Sequence, residues 1–138
     1  MANKLGVFDY TATTSKNVDQ CITDVTAALK EEEFGVLGVL DLQTVLKAKG
    51  VELGRDYHLM EACNPLFSKT ALAKDIRIGL LLPCTIDVYT QAGQTKISLM
   101  RPSILLSLAA ADSQVTQLAD EMETKLKRAV DESGQSAR

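Results

Sequence analysis

The stretch Ile76–Arg101, IRIGLLLPCTIDVYTQAGQTKISLMR, decides the fold. Ile76, Ile78, Leu80, Leu82, Cys84, Ile86 and Val88 share one parity, while Arg77, Thr85 and Asp87 share the other. That alternation is the signature of a half-buried strand. Ala92-Gly93 is a turn signal, and Thr95–Arg101 returns with Ile97 and Leu99 apolar and Lys96 and Ser98 polar. Pairing Thr90 with Thr95 sets Val88 opposite Ile97 and Ile86 opposite Leu99, which keeps one face apolar. A slip of one residue mixes the faces and is disfavoured. The expectation is an antiparallel hairpin of Ile76–Thr90 with Thr95–Arg101. This register also places Cys84 opposite Arg101 if no bulge intervenes. Pro83 cannot donate a ladder hydrogen bond, so the strand is either an edge there or bulged. Without a bulge Cys84 faces the core; with one it is re-aimed.

Upstream, Tyr57–Cys63 reads as a strand of ambiguous alternation, ended by Asn64-Pro65. Asn is a preferred N-cap and Pro a preferred first helical residue, so a helix follows over Pro65–Lys74. Phe34–Leu40 is a continuous apolar run and reads as a central strand. Asp41 then caps a short helix over Leu42–Lys49 that stops at Gly50. Before these, Leu5–Ala12 reads as a first strand, and Thr13-Thr14-Ser15 supplies N-cap candidates for a helix over Ser15–Glu33. Its stripe of Val18, Cys21, Ile22, Val25, Ala28 and Leu29 makes Cys21 a small core residue.

Downstream, Arg101-Pro102 ends the hairpin and Ser103–Ala110 reads as a short helix. Asp112 caps a last helix striped by Val115, Leu118, Ala119, Met122, Leu126, Ala129 and Val130, with Glu121–Lys125 and Glu123–Lys127 as exposed pairs. Residues 1–132 read as one domain and 133–138 as a disordered polar tail. The order is β-α-β-(α)-β-α-β-β-(α)-α. It describes an α+β fold with a mostly antiparallel sheet of about five strands and helices on one face. Covering the other face, or an edge, by dimerisation would explain why such a sheet is tolerated.

Composition narrows the class of function. The 138 residues carry a net charge of −3, 46% hydrophobic residues and no tryptophan, without a basic run or aromatic stacking motif, which argues against nucleic acid. No apolar run reaches membrane-spanning length and no signal peptide stands at the N-terminus. Three cysteines, an odd number without disulfide or CxxC spacing, fit free thiols in a reducing cytoplasm. Phosphate-loop, dinucleotide, zinc-protease and serine-hydrolase motifs are absent from the sequence.

Two cysteines carry the candidate chemistry. Cys63 directly precedes the Asn64 N-cap, near the positive end of a helix dipole, where a thiolate is favoured. With Cys84 as partner it would form a thiol site for redox, sulfur or soft-ligand handling. Glu61 shares the parity of Cys63 and is a candidate base or ligand. Arg101 is a candidate anion or thiolate partner. Asn64, Pro65 and Pro83 frame the site. The alternative is a non-catalytic ligand-binding or structural homodimer in which the cysteines only pack. A further alternative is metal or haem binding, for which two thiols need a third ligand such as Glu61 or His58. No spaced metal-ligand set occurs, His58 reads as a surface residue, and no cofactor is indicated.

At Ala62-Cys63-Asn64-Pro65 and Gly79-Leu80-Leu81-Leu82-Pro83-Cys84 the sequence resembles the family called domain of unknown function 302. Phe34-Gly35-Val36-Leu37, Asp41, the Leu46-Lys47 helix ending at Gly50, and Tyr57 fall in order with that family's pattern. The likeness runs from about Leu5 to Val130. It implies a compact bacterial or archaeal α+β domain, often a homodimer, without an established activity. Glu61, His58 and Arg101 depart from the pattern, so roles there would be particular to this chain.

Overall fold

A computed structural model describes residues 3–109 and 112–135. They form one antiparallel sheet in the order β1-β2-β6-β5-β4-β3. The strands are β1 (Lys4–Leu5), β2 (Asp9–Thr14), β3 (Gly35–Asp41), β4 (Tyr57–Cys63), β5 (Cys84–Gln91) and β6 (Gln94–Met100). The helices are α1 (Val18–Glu31), α2 (Leu42–Ala48), α3 (Pro65–Lys74), α4 (Pro102–Ser107) and α5 (Ser113–Gly134), with a 3-10 turn over Ile76–Leu81. The hairpin register is the expected one: Thr90 pairs with Thr95, Val88 with Ile97 and Ile86 with Leu99.

One parity of every inner strand is buried. Ala12, Met60, Ala62, Cys84, Ile86, Val88, Ile97 and Leu99 form a continuous core with the stripes of α1 and α5. Each large aliphatic side chain so buried contributes about 1.5–3 kcal/mol of transfer free energy. Cys21 is 0% exposed within the α1 stripe, the packing role its spacing predicts. The opposite parity, including Thr11, Thr85, Asp87, Tyr89 and Ser98, lies on the face that α1 and α5 leave uncovered.

Six strands replace the expected five because the first run splits. Gly6 N–H donates to the Asp9 carbonyl at 2.7 Å, and Lys4 folds back to pair with Thr11. A Cβ at residue 6 would lie 2.0 Å from Asp9 Oδ1, so a larger residue in this turn would displace the Asp9 carboxylate.

The expected strand over Ile76–Thr90 begins only at Cys84. Asp75 caps the preceding segment instead: its carboxylate accepts from Arg77 N at 2.9 Å and from the Arg77 guanidinium at 2.8 and 3.1 Å. Ile78 N–H then donates to the Asp75 carbonyl, closing a 3-10 turn. Ile76 and Leu80, which carried the apolar alternation, are 77% and 86% exposed. Pro83, after a cis bond from Leu82, stands just before β5, so an inner strand tolerates it without an edge or a bulge.

Three capping and boundary expectations also change. Asn17, rather than the Thr13–Ser15 cluster, caps α1 through Gln20 N at 2.8 Å. Helix α4 starts at Pro102 and ends at Ser107, and Ala110 lies outside the described residues. Helix α5 runs through Gly134 with Ser133 buried, so residues 133 and 134 belong to the packed domain; 136–138 lie outside the described residues.

Candidate functional site on the open face of the sheet

The hairpin and β4 together place a polar and aromatic cluster on the uncovered face. The ladder sets Tyr57 opposite Tyr89 and Asp87 opposite Ser98. The two tyrosine rings stack with centroids 4.9 Å apart at 13°. Tyr57 O–H donates to Asp87 Oδ2 at 2.5 Å. The Tyr89 and Ser98 hydroxyls share a hydrogen bond at 2.8 Å, and Ser98 shares another with Thr11 at 2.8 Å. Thr11 O–H in turn donates to Asp9 Oδ2 at 2.6 Å. A cleft of about 290 Å³ opens over these residues, with Phe8 and Met100 as its apolar rim.

Two groups in the cleft titrate away from their ordinary ranges. Burial, reinforced by the hydrogen bond and charge of Asp87, raises the Tyr57 phenol. Burial also raises the Asp87 carboxyl, against the opposing hydrogen bond from Tyr57. Among the described residues, Asp87 Oδ1 is buried without a hydrogen-bond partner. A buried acceptor of this kind is costly, and a ligand donor would satisfy it.

The expected thiol site takes a different form. The ladder pairs Cys84 with Ala62, so Cys84 is one position from Cys63 across the strands. Cys84 is 8% exposed against an apolar lining of Leu81, Leu82, Leu105 and Leu106. Its thiol is pushed up to about 12, by burial first and by the neighbouring Cys63 second. Cys63 is half-buried at the end of β4, its Sγ 3.3 Å from Ser68 Oγ on α3. Asn64 caps α3 as expected, Oδ1 accepting from Phe67 N at 3.0 Å with Pro65 at the first turn. All three cysteines are free thiols.

The remaining candidates disperse. Glu61 is an exposed strand residue between Gly38 and Thr85. Arg101 does not reach Cys84: its Nε donates to Glu123 Oε2 at 3.2 Å, and Nη1 donates to the Gly6 carbonyl at 3.2 Å. The strand ends at Met100, and the arginine turns to the buried carboxylate on α5. Glu123, expected as an exposed partner of Lys127, is 5% exposed and holds Arg101, Ser103 and Lys127 together. Lys125 lies 4.0 Å from Glu33. His58, expected at the surface, has a side chain only 13% exposed and lies between two carboxylates.

The residues sequence reasoning missed are Tyr57, Asp87, Tyr89 and Ser98 as a set. Their signal was present in the polar parity of the hairpin, where an aspartate and tyrosine alternate with the core face. Parity alone marks such residues as solvated; the pairing of β4 with β5 brings Tyr57 onto them.

The architecture is therefore an α+β domain with one helix-covered and one open sheet face. The chain belongs to the family described as Domain of unknown function DUF302, which matches residues 10–133. It is similar to an uncharacterized conserved DUF302 protein from Bacillus stearothermophilus, known from a crystal structure. The two are 28% identical with a TM-score of 0.87, over 94% of this chain and 100% of the other. No curated protein matches the chain. Among the described residues no helix is long and apolar enough to cross a membrane.

Proposed function

We propose that this domain binds a small molecule in the open-face cleft and works as a homodimer, with the cysteines in packing roles. The buried, unpartnered Oδ1 of Asp87 carries this reading, because it is an acceptor awaiting a donor beside two stacked tyrosine faces. A flat ligand with a cationic donor suits both features: its charge offsets that of the carboxylate, and its face lies against the rings. The burial of Cys84 weighs against thiol chemistry, since the thiolate is the reactive form. Three free thiols suit a reducing compartment such as the cytoplasm.

Benzamidine, a flat aromatic cation, is a direct probe. It is expected to shift the resonances of Tyr57, Tyr89 and Ser98, while benzoate does not. Asp87→Asn keeps an acceptor for Tyr57 but removes the charge, and should weaken benzamidine binding about tenfold, equivalent to roughly 1.4 kcal/mol. The sign with pH follows from the raised carboxyl: as pH falls through it, Asp87 takes up a proton and cation binding weakens. For the free protein the same shift means stability is lost as pH rises through the folded pKa, so Asp87→Asn should raise Tm at pH 7 and not at pH 3. Benzamidine binding equally well to the variant would refute the cleft as the site.

Exposed apolar residues at the β3 edge support the dimer. Leu37, Val39 and Leu40 are 65%, 44% and 46% exposed, and α2, which follows β3 in the chain, has no buried residue. An edge strand with free backbone groups and such side chains is a ready surface for a second copy. Sedimentation is expected to give a dimer at micromolar concentration and Val39→Lys a monomer. A monomeric wild-type protein at those concentrations would contradict this.

A further inference from the structure

We propose that Asp41, Asp56 and His58 form a second site, separate from the cleft, for a divalent first-row cation of the zinc, cobalt or manganese type. Three elements converge here. His58 is the second residue of β4, Asp41 is its cross-strand partner on β3, and Asp56 immediately precedes β4. Each offers one ligand atom, and these atoms lie within 4.8 Å of one another. The scaffold is firm: the Asp56 carbonyl accepts from Thr90 N at 3.0 Å, and Asp41 caps α2 through Thr44 N at 3.1 Å.

An ordinary ion pair accounts for only part of this geometry. His58 Nδ1 lies 3.2 Å from Asp56 Oδ1, yet it is buried and makes no hydrogen bond, so the two atoms are close but not aligned as donor and acceptor. Two ligand atoms each about 2.1 Å from one ion, at an angle of about 90–110°, are separated by about 3.0–3.4 Å. The observed separation is the bite of a chelating pair. On the other side of the ring, Nε2 lies 3.6 Å from Asp41 Oδ2. Asp41 is half-exposed; its Oδ1 holds the α2 cap, and its Oδ2, which accepts from Thr44 Oγ1 at 2.9 Å, is the atom it offers as a third ligand in exchange for that hydroxyl. Two carboxylates and a neutral imidazole give a mixed oxygen and nitrogen set with net charge −2, which favours a borderline divalent cation over a soft one. The remaining positions open to water.

The signal in the sequence was weak because the three residues follow no ligand spacing. Asp41 is separated from the other two by a helix and a loop, and only the antiparallel pairing of β3 with β4 sets it against His58.

Cobalt(II) and manganese(II) added to the metal-free full chain test the site. One equivalent of cobalt(II) is expected to bind with a Kd in the micromolar range and to produce a visible d–d band. Manganese(II) is expected to broaden most strongly the amide resonances around residues 41 and 56–58, together with those of Val88, Tyr89 and Thr90 paired against them. Asp56→Asn and His58→Gln should each weaken cobalt(II) binding at least tenfold. Asp41→Asn separates ligation from helix capping, because asparagine caps as well as aspartate; it too should weaken binding, with an unchanged circular dichroism spectrum. Binding only at millimolar cobalt(II), or unchanged affinity in both Asp56→Asn and Asp41→Asn, would overturn the proposal. Neither outcome bears on benzamidine binding in the cleft.

Discussion

Replacing Glu123 with leucine is expected to lower stability by about 3 kcal/mol or more, because it strands the donors that the carboxylate now satisfies. Glu123 is 5% exposed. It accepts from Ser103 N at 3.0 Å, Ser103 Oγ at 2.6 Å and Arg101 Nε at 3.2 Å, with Lys127 Nζ also at 3.2 Å. These contacts join the start of α4, the end of β6 and the middle of α5. Burial pushes the carboxyl up, but the hydrogen bonds from Ser103, Lys127 and Arg101 together outweigh it and hold the group below the usual 4.5. A depressed carboxyl contributes stability that is present above the unfolded pKa and lost as pH falls through the folded one. The wild-type chain should therefore lose more stability than Glu123→Leu on going from neutral to acidic conditions below the usual 4.5. Urea denaturation across that range measures both effects. A loss under about 1 kcal/mol at neutral pH, in the range of a surface ion pair, would contradict the account.

In the folded protein Cys84 is expected to react with a thiol reagent about a thousandfold more slowly than a free cysteine at neutral pH. Burial pushes its thiol up to about 12, well above the range of a free cysteine, so the thiolate population falls by about three powers of ten. Restricted access adds to this. Cys21, 0% exposed and also raised by burial, should be protected with it. Mass spectrometry after labelling, native against urea-unfolded, separates the three cysteines. Native labelling of Cys84 at the unfolded rate would restore the reactive pair and displace the packing role assigned here.

Those two residues mark different depths of legibility. The core-facing parity of Cys84 is visible in the alternation of Ile86 and Val88, and the β5–β6 register follows from keeping that face apolar. The opposite error occurs a few residues earlier. Ile76, Ile78 and Leu80 continue the same alternation, yet Asp75 captures Arg77 and winds the segment into a 3-10 turn. Periodicity reports which side chains are apolar; it does not report a competing local hydrogen bond. Glu123 was misread for a related reason. Its spacing to Lys127 matches an exposed helical pair, but α4 and Arg101 fold over it.

By itself the sequence determined the α+β class, the hairpin register, the stripes of α1 and α5, and the Asn64-Pro65 start of α3. Each of these rests on interactions within a few residues or on a single repeating burial preference. Tertiary structure alone decided which side chains meet: Tyr57 with Asp87, Asp41 with His58, and Arg101 with Glu123 rather than Cys84. Those contacts join residues 30, 17 and 22 positions apart in the chain. They depend on strand order and helix placement, which no local pattern encodes.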